Sequence, residues 1–395
     1  MTVPSHSASL VVGKALREQF LLDPEIIFLN HGSFGACPRP VFETYQNWQL
    51  ELERQPVEFL ARRHDALLDE ARAHLDAYVG ADGDNLVFVP NATVGINVVA
   101  RSLPLEPGDE ILTTDHEYGA LNMTWQFGCE PCGARYVPVH IPLPVTTPEA
   151  MVETFWEAVT PRTKIIFLSH ITSPTALTFP VKAIIDRARA AGILTVIDGA
   201  HAPGQIPLDL TALGADFYAG NCHKWLCSPK GAGFLYARRE HHHLLKPLVI
   251  SWGWSNGTGT LTRRIHQQGT RDIAASLSVP AAVRFQEDHR WDEVRAYCHG
   301  IVSGTRARLA NLTGLPPVSP DAGDWFHQMI TAPLPPCDVE TLKRRLYEDY
   351  RIEIPLVVWN DQPFVRVSIQ GYNTPDDAAI LLRALEQLLP QVRQS

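Results

Sequence analysis

The stretch "DFYAGNCHKWLCSPKGAGFLYA" (residues 216–237) decides the fold, because it sets a lysine between two apolar segments. The first segment, Phe-Tyr-Ala at 217–219, leads into Gly-Asn-Cys and then to Lys224, which stands between a histidine and a tryptophan. A Gly-rich apolar segment follows at 231–237. Lysine is among the least buried residue types unless it is paired or has lost its charge. The position of Lys224 therefore needs a chemical reason.

The composition is that of a folded globular enzyme, with 45% apolar and 19% charged residues among 395. Such a length predicts two domains, or one large α/β unit with an appendage. The net charge of −9 argues against nucleic-acid binding, which favours a basic face.

The chain carries no sign of a membrane or secretory destination. Its first 20 residues lack a charged region followed by a long apolar run, and no apolar stretch approaches the roughly 20 residues of a membrane span. The seven cysteines are scattered from Cys37 to Cys337, which is typical of reduced thiols. We therefore expect a cytoplasmic protein that binds no membrane.

Between about residues 86 and 237, short apolar runs alternate with longer helical patterns. The runs are residues 85–90, 109–114, 134–141, 163–169, 193–200, 215–220 and 231–237. Nearly continuous apolar strands separated by helices predict a mainly parallel sheet covered on both faces. In such a sheet the ligand lies beyond the C-terminal ends of the strands.

After about residue 275 the pattern changes to helices at 274–289 and 291–311, shorter strand-like pieces, and a terminal helix. We interpret this part as a smaller α+β domain. The predicted organisation is an N-terminal segment (1–30) that joins the small domain, a large cofactor-binding domain (31–275) and a small C-terminal domain (276–395).

Two predicted strand ends carry chemistry. "TVIDGAHAPG" (195–204) ends a strand in Asp198, with His201 three residues on, and "NCHKW" (221–225) contains Lys224. An acid alone at a strand end is more often a turn former. A lysine at the next strand end changes this balance, because a desolvated lysine forms Schiff bases with carbonyl compounds. Pyridoxal 5'-phosphate (PLP) requires such a lysine for its aldehyde and an acid for its pyridinium nitrogen.

A phosphate site is the third requirement of PLP, and "VPNATVGIN" (89–97) offers one. A predicted strand is followed by Asn91, Ala92 and Thr93 and then by a helix, whose N-terminus could bind a phosphate. By itself, this segment is better explained as simple N-capping by Asn91 and Thr93.

These motifs belong to a longer ordered series. The series comprises "FLNHGSFGACPRPVF" (28–42), "NATVGINVV" (91–99), "DHEY" (115–118), "SHITSPTALTFPV" (169–181), "VIDGAHAPGQIPLDL" (196–210), "FYAGNCHKWLCSPKGAGFL" (217–235), "QGTRD" (268–272) and "RVSIQGYNT" (366–374). The sequence resembles the class V aminotransferase family of PLP-dependent enzymes, and within it the isopenicillin N epimerase group. The resemblance implies an aspartate aminotransferase-like α/β fold, with a mainly parallel seven-stranded sheet between helices and a smaller α+β domain.

The resemblance also implies roles for the catalytic residues. Lys224 would form the Schiff base with PLP and, once displaced by an amino-acid-type substrate, take the Cα proton. Asp198 would pair with the pyridinium nitrogen, and His201 would hydrogen-bond the phenolic oxygen. Tyr118 would stack on the cofactor ring.

The binding residues implied by the resemblance fall into three groups. The phosphate would be held by Asn91, Ala92, Thr93, Asn221 and His223. Thr270 would reach the phosphate of a neighbouring subunit, which implies a homodimer with shared active sites. Arg366 would grip the substrate carboxylate through its guanidinium fork. The remaining candidates are Ser173, near the cofactor oxygen, and His31, Gly32 and Ser33, near the entrance.

Several reactions are compatible with this machinery. Residues 353–368 contain no cysteine before Arg366, which argues against a cysteine desulfurase. Epimerisation is favoured and requires a second acid opposite Lys224, for which Tyr118 and His116 are candidates. A C–S lyase acting on a cysteine-derived substrate and an aminotransferase are alternatives. A non-enzymatic binding module should have lost Lys224 or Asp198.

A metal site is not predicted. The consecutive histidines 241–243 do not all face one way on a helix, so a solvated helix face is the preferred interpretation.

Overall fold

A computed structural model describes residues 9–321 and 324–393. Its strands are β1 (Ile27–Phe28), β2 (Leu86–Val89), β3 (Glu110–Thr114), β4 (Arg135–Val139), β5 (Thr163–Ser169), β6 (Leu194–Gly199), β7 (Phe217–Asn221), β8 (Gly233–Ala237), β9 (Met329–Pro333), β10 (Ile352–Glu353), β11 (Leu356–Trp359) and β12 (Gln362–Ser368).

The α-helices in the same part of the chain are α1 (Lys14–Arg17), α2 (His31–Phe34), α3 (Arg39–Arg54), α4 (His64–Val79), α5 (Ala92–Ala100), α6 (Gly119–Cys129), α7 (Pro148–Trp156), α8 (Val181–Ala190), α9 (Leu210–Leu213), α10 (Leu261–His266), α11 (Ala274–Leu277), α12 (Val279–Asp288), α13 (Trp291–Thr313), α14 (Val339–Tyr350) and α15 (Pro375–Val392). A π-helical turn, Glu58–Arg63, leads into α4.

The central sheet has seven strands in the order β2-β8-β7-β6-β5-β3-β4. Strand β8 runs antiparallel to both of its neighbours, and the other pairs are parallel. The predicted mainly parallel seven-stranded sheet is therefore confirmed. Each of its strands coincides with one of the seven apolar runs of the sequence, with ends that differ by at most two residues.

Both faces of this sheet are buried, which explains the nearly continuous apolar runs. In β5, Ile166 and Leu168 belong to one apolar core, whereas Ile165 and Phe167 belong to a second core on the opposite face. Successive strand residues point to opposite faces, so both faces must be apolar when helices cover both.

The C-terminal part contains an antiparallel sheet in the order β11-β12-β9. Strand β12 is central, and Arg366 on it lies opposite Thr331 of β9. The N-terminal region contacts this part, because β1 pairs in parallel with β10, matching Ile27 with Ile352. The Gly13 amide also donates to the Gly371 carbonyl at 2.7 Å.

The domain boundaries at 30 and 275 stay predictions. Helix α12, which follows the second boundary, packs against α3 and α4 of the predicted large domain. Residues 1–8, 322, 323, 394 and 395 of the predicted segments lie outside the described residues. Among the helices that are described, none has both the length and the apolar character needed to cross a bilayer.

Candidate active site

A cleft of about 220 Å³ lies at the C-terminal ends of β6 and β7. Parallel strands end at the same sheet edge, so the two chemical strand ends predicted from the sequence meet here. The residues that line the cleft are Ser33, Phe34, Asn91, Ala92, Thr93, Tyr118, Ile171, Ser173, Asp198, Ala200, His201, Asn221, His223 and Lys224. The predicted candidates absent from the lining are His31, Gly32, His116, Thr270 and Arg366.

Lys224 lines the cleft, and its Nζ is 3.2 Å from Nε2 of His201. Burial and, to a smaller extent, the nearby positive charge of Arg366 together lower the pKa of Lys224 to about 7, against the opposing effect of Asp198. A large fraction of the amine is therefore uncharged at neutral pH, which is the nucleophilic form.

His31 lies behind Lys224 and not in the cleft. Its Nε2 donates to the Lys224 carbonyl at 3.0 Å, and its Nδ1 lies 3.0 Å from the Tyr372 hydroxyl. The ring is fully buried, so the structure places His31 against the backbone of the lysine. Gly32 is also buried, and a Cβ there would lie 2.8 Å from the sulfur of Met329.

Asp198 lines the cleft, and among the described residues one of its two carboxylate oxygens is unpaired. Its Oδ1 accepts from the Ala200 amide at 2.9 Å, and among the described residues nothing donates to Oδ2. Burial raises the pKa of Asp198 to about 6, although the Ala200 amide and Lys224 act in the opposite direction. A positively charged N–H donor entering the cleft would satisfy this carboxylate.

The N-terminus of α5 forms one wall. Asn91 caps the helix, because its Oδ1 accepts from the Val94 amide at 2.9 Å. The Asn221 side chain holds the helix to β7 by accepting from the Ala92 amide at 2.8 Å. Within the described chain, the amide and hydroxyl of Thr93 make no hydrogen bond, so both could bind a phosphate at this helix end.

His223 and Tyr118 line the cleft in different ways. His223 donates from Nδ1 to the Ala232 carbonyl at 3.3 Å, and burial lowers the pKa of His223 to about 4. Tyr118 is 46% exposed. In the described part of the chain its hydroxyl has no hydrogen-bond partner, so it is free to contact a ligand.

Arg366 lies just outside the cleft and is 5% exposed. Its guanidinium donates to the carbonyl and hydroxyl of Ser173 at 2.8 and 3.0 Å, and to the hydroxyl of Ser33 at 2.9 Å. Both serines line the cleft. No carboxylate pairs with Arg366 among the described residues, and burial lowers its pKa to about 10. An anionic ligand would compensate this charge.

Of the two candidates for a second acid, only Tyr118 reaches the cleft. His116 is fully buried, with Nδ1 2.8 Å from the Thr175 hydroxyl. Its Nε2 donates to the Ile141 carbonyl at 2.8 Å. His116 therefore lies outside the cleft, and the identity of a second acid stays a prediction. Thr270 is exposed and outside the cleft of its own chain, so its contact with a neighbouring subunit stays a prediction.

The comparison with known families decides the class of this protein. The family model "Aminotransferase class-V" matches residues 36–381. The chain belongs to the class-V aminotransferase family. Its cofactor is pyridoxal 5'-phosphate, and the family predicted from the sequence is confirmed.

Two curated relatives illustrate the range of this class-V aminotransferase group. The chain is 37% identical to isopenicillin N epimerase of Amycolatopsis lactamdurans, over 94% of this chain and 97% of that protein. It is 27% identical to a probable chloroplastic L-cysteine desulfhydrase of Arabidopsis thaliana, over 93% and 84% of the two chains.

The solved structures show the same fold. The cysteine desulfurase of Thermococcus onnurineus NA1 superposes with a TM-score of 0.84 at 21% identity, covering 98% of this chain and all of that one. The predicted PLP-dependent transferase fold is therefore confirmed.

The residues at the cleft fit PLP. Lys224 offers an amine, Asp198 offers an unpaired carboxylate oxygen, and the α5 N-terminus offers free donors at Thr93. A pyridoxal ring and its phosphate require these three kinds of group. Among the described residues, no group of three or more His, Cys, Asp or Glu side chains could hold a metal ion.

Several residues of this site were not predicted from the sequence. Phe34, Ile171 and Ala200 line the cleft. Phe34 and Ala200 each adjoin a predicted residue, and Ile171 is two residues before the predicted Ser173. Trp225 was missed as well, although its indole Nε1 lies 3.3 Å from Nδ1 of His201. Its position directly after Lys224 in "NCHKW" was the available signal.

Proposed function

We propose that this protein is a PLP-dependent epimerase that inverts the α-carbon of an amino-acid-type substrate, as the name of its relative isopenicillin N epimerase suggests. The observation that carries the proposal is the composition of the cleft wall. It holds one amine with a pKa near neutrality, Lys224, and one free phenolic hydroxyl, Tyr118. Epimerisation needs two groups that can each give or take a proton.

Arg366 supports an amino acid as the substrate. Its buried guanidinium has no anionic partner in the described chain, and it contacts Ser33 and Ser173 of the cleft wall. A substrate carboxylate at this wall would find both a positive charge and two hydroxyl groups. Such charge-assisted hydrogen bonds orient a carboxylate strongly.

The chain's own residues then handle the proton at Cα. When bound, PLP withdraws electrons from the α-carbon of an attached amino acid and so acidifies its Cα–H bond. We assign Lys224 to remove this proton, because about half of its amine is uncharged at neutral pH. We assign Tyr118 to return a proton, which inverts the centre if the hydroxyl approaches from the other side. Asp198 would hold the positive charge of the pyridine nitrogen, and His201 would donate a hydrogen bond into the cleft.

A desulfurase activity is not favoured by this cleft. That reaction needs a cysteine nucleophile, and all seven cysteines of the chain lie outside the cleft lining. A C–S lyase needs no such thiol, since Lys224 alone can remove the Cα proton. A C–S lyase is therefore the second candidate, and the desulfhydrase name of a relative at 27% identity supports it.

We also propose a homodimer with shared active sites. Phe34 lines the cleft, yet its apolar side chain is 72% exposed. A partner chain seated over the cleft would bury this side chain, as interfaces bury exposed apolar surface. Thr270 would then complete the phosphate site of the partner. A cytoplasmic location is supported by the seven unpaired cysteines.

The test incubates the PLP-loaded protein with L-amino acids and cysteine conjugates in deuterated water. We expect deuterium at Cα together with inversion of configuration, measured by mass spectrometry and chiral chromatography. Tyr118→Phe should keep deuterium exchange and lose inversion. The matched control is Tyr347→Phe, which alters a tyrosine of similar exposure (43%) on α14 and should leave both unchanged.

Other outcomes would replace the proposal. Pyruvate together with a released thiol would identify a C–S lyase. A keto acid formed in step with amino-group transfer would identify an aminotransferase. Failure to bind PLP would support the alternative that the protein is a non-enzymatic binding module. Sedimentation of the holoprotein as a monomer would contradict the shared active site.

A further inference from the structure

Trp225 follows Lys224 in the sequence, yet its side chain does not line the cleft and is 0% exposed. Its indole Nε1 lies 3.3 Å from Nδ1 of His201. On the opposite side of the same imidazole, Nε2 lies 3.2 Å from Nζ of Lys224. His201 therefore stands between the indole and the amine, with one ring nitrogen facing each.

This arrangement allows only one neutral form of the His201 ring. An indole N–H can donate a hydrogen bond but cannot accept one, so Nδ1 must accept and carries no proton. Burial and the positive charges of Lys224 and Arg366 lower the pKa of His201 well below its ordinary value, so the ring is neutral. A neutral imidazole with a bare Nδ1 carries its single proton on Nε2.

We propose that Trp225 is a positioning residue that fixes His201 in the tautomer whose Nε2–H donates into the cleft. The surrounding bonds hold both partners in place. Gln286 donates to the Trp225 carbonyl at 2.8 Å, and Gln205 donates to the His201 carbonyl at 2.8 Å. The indole also packs against the His31 ring, with the ring centroids 5.0 Å apart. The two hydrogen bonds fix the backbone of both residues, and the His31 ring restrains the indole ring itself.

The tautomer has a consequence at Lys224. The Nε2–H of His201 can donate a hydrogen bond to the uncharged amine of Lys224, but it cannot accept one from the charged ammonium form. This tautomer therefore favours the uncharged amine. Without the indole N–H, the proton of His201 can move to Nδ1, and a bare Nε2 would then accept from a protonated Lys224. Loss of the indole N–H should therefore raise the pKa of the lysine.

The same N–H is available to an oxygen atom of a bound cofactor. This part of the inference rests on the proposed function, whereas the tautomer itself is a property of the chain. The two can therefore fail independently.

The first experiment reads the tautomer directly. Full-length protein labelled with ¹⁵N-histidine is examined by NMR with PLP bound and after its removal, and the His201 signals are assigned by their loss in His201→Gln. We expect a protonated Nε2 and a bare Nδ1 in the cofactor-free chain. A protonated Nδ1 there would overturn the proposal, whatever the variants do.

The second experiment removes the indole N–H. Trp225→Phe, and replacement of Trp225 by benzothienylalanine, which keeps the indole shape with sulfur in place of N–H, should each redistribute the His201 proton. Each should also raise the pH midpoint of the rate at which the cofactor-free protein reacts with added PLP, by about one pH unit or less for one neutral hydrogen bond. The benzothienyl variant keeps the test valid if the smaller phenyl ring prevents folding.

The matched control is Trp125→Phe. Trp125 is also fully buried, but its Nε1 has no hydrogen-bond partner in the described chain, so this change removes the same volume and no hydrogen bond. Equal midpoint shifts in Trp125→Phe and Trp225→Phe, or no shift in either Trp225 variant, would overturn the proposal. A chain that shows the expected tautomer shift but fails to epimerise any substrate would retain this inference and lose the proposed function.

Discussion

Two clusters of this molecule combine aspartate, histidine and tryptophan, and they differ in how much of their hydrogen-bonding capacity is used. The cleft cluster contains Asp198, His201, Lys224 and Trp225. The hairpin cluster contains Asp115, His116, His140, Trp359 and Asn360, where the turn between β11 and β12 meets the loop after β3. Both clusters lie at edges of sheets, and both join segments that are distant in sequence.

In the hairpin cluster the Asp115 carboxylate is fully used. Oδ2 accepts from His140 at 2.6 Å and from Asn360 at 3.1 Å, and Oδ1 accepts from the Ile141 amide at 3.1 Å. Burial would raise the pKa of Asp115, but these bonds hold it below its ordinary value. In the cleft cluster, by contrast, Asp198 has one unpaired oxygen, and burial raises its pKa to about 6.

The same contrast applies to the tryptophans. The Trp359 indole donates to the Asp115 carbonyl at 2.8 Å, which fixes the backbone of the loop. The Trp225 indole donates to a histidine ring nitrogen and so controls a titratable group. Residue types therefore do not separate a structural cluster from a chemical one. The two kinds of cluster differ in whether hydrogen-bond donors, acceptors and charges are left without a partner.

The largest expected effect comes from Lys224→Met. Activity toward any amino-acid substrate should fall at least about 1,000-fold, because the proposed base and the cofactor attachment are lost together. Steady-state rates would measure the loss of activity. The variant should also lack the visible absorbance band of the Schiff base, which borohydride removes from the unmodified protein. Lys230→Ala, six residues later in the same segment, is the control and should retain the absorbance band.

The same substitution should stabilise the cofactor-free chain. The folded pKa of Lys224 is lowered to about 7 from 10.5, so between these values the unfolded chain binds more protons and stability rises with pH. At pH 8 the charged unfolded lysine therefore disfavours folding. Replacing it by Met should raise the free energy of unfolding by about 1–2 kcal/mol, allowing for partial solvation in the cleft. If urea titrations show that Lys224→Met is less stable than the unmodified chain, Lys224 contributes to stability as the residues of the hairpin cluster do, and the prediction is wrong.

Arg366 gives the next largest effect. Arg366→Lys should raise KM for amino-acid substrates about 10- to 100-fold, because a lysine cannot reproduce the guanidinium fork that also holds Ser33 and Ser173. The visible absorbance of bound PLP should persist, since Arg366 does not line the cleft. An unchanged KM would remove the proposed carboxylate site. Arg345→Lys, at a half-buried arginine of α14 that pairs with Asp349, is the matched control.

The sequence predicted the sheet and the strand-end chemistry because both depend on local patterns. The apolar runs of β5 and β6 follow from burial on two faces, and Asp198 and Lys224 follow from strand ends that meet at one edge. The roles of His31 and His116 could not be predicted in this way. Each is buried by a segment far away in the sequence, Tyr372 for His31 and the β11–β12 turn with Trp359 for His116. Histidine beside a motif carries no sign of which way its ring faces.

A smaller effect is expected in the hairpin cluster. Trp359→Phe should lower the free energy of unfolding by about 1–3 kcal/mol, because the Asp115 carbonyl loses its donor and the His116 ring loses packing. Urea titration measures this, with Trp252→Phe, at a 90% exposed position, as the control. The pH midpoint of the PLP absorbance should stay constant. A shift in that midpoint would show that the hairpin cluster also acts on the chemistry.

The smallest expected effect is on the pH dependence of the reaction with PLP, which should respond to the cleft cluster and not to the hairpin cluster. The cofactor-free protein should react with added PLP about tenfold faster at pH 8 than at pH 6, because the uncharged fraction of Lys224 rises through a pKa of about 7. Arg366→Gln should move this midpoint upward by removing a like charge, and Asp198→Asn should move it downward by removing an opposite one. Asp115→Asn should leave it in place, since Asp115 does not act on Lys224. Stopped-flow absorbance at several pH values measures all three, and a midpoint that moves with Asp115 but not with Asp198 would reverse the assignment of the two clusters.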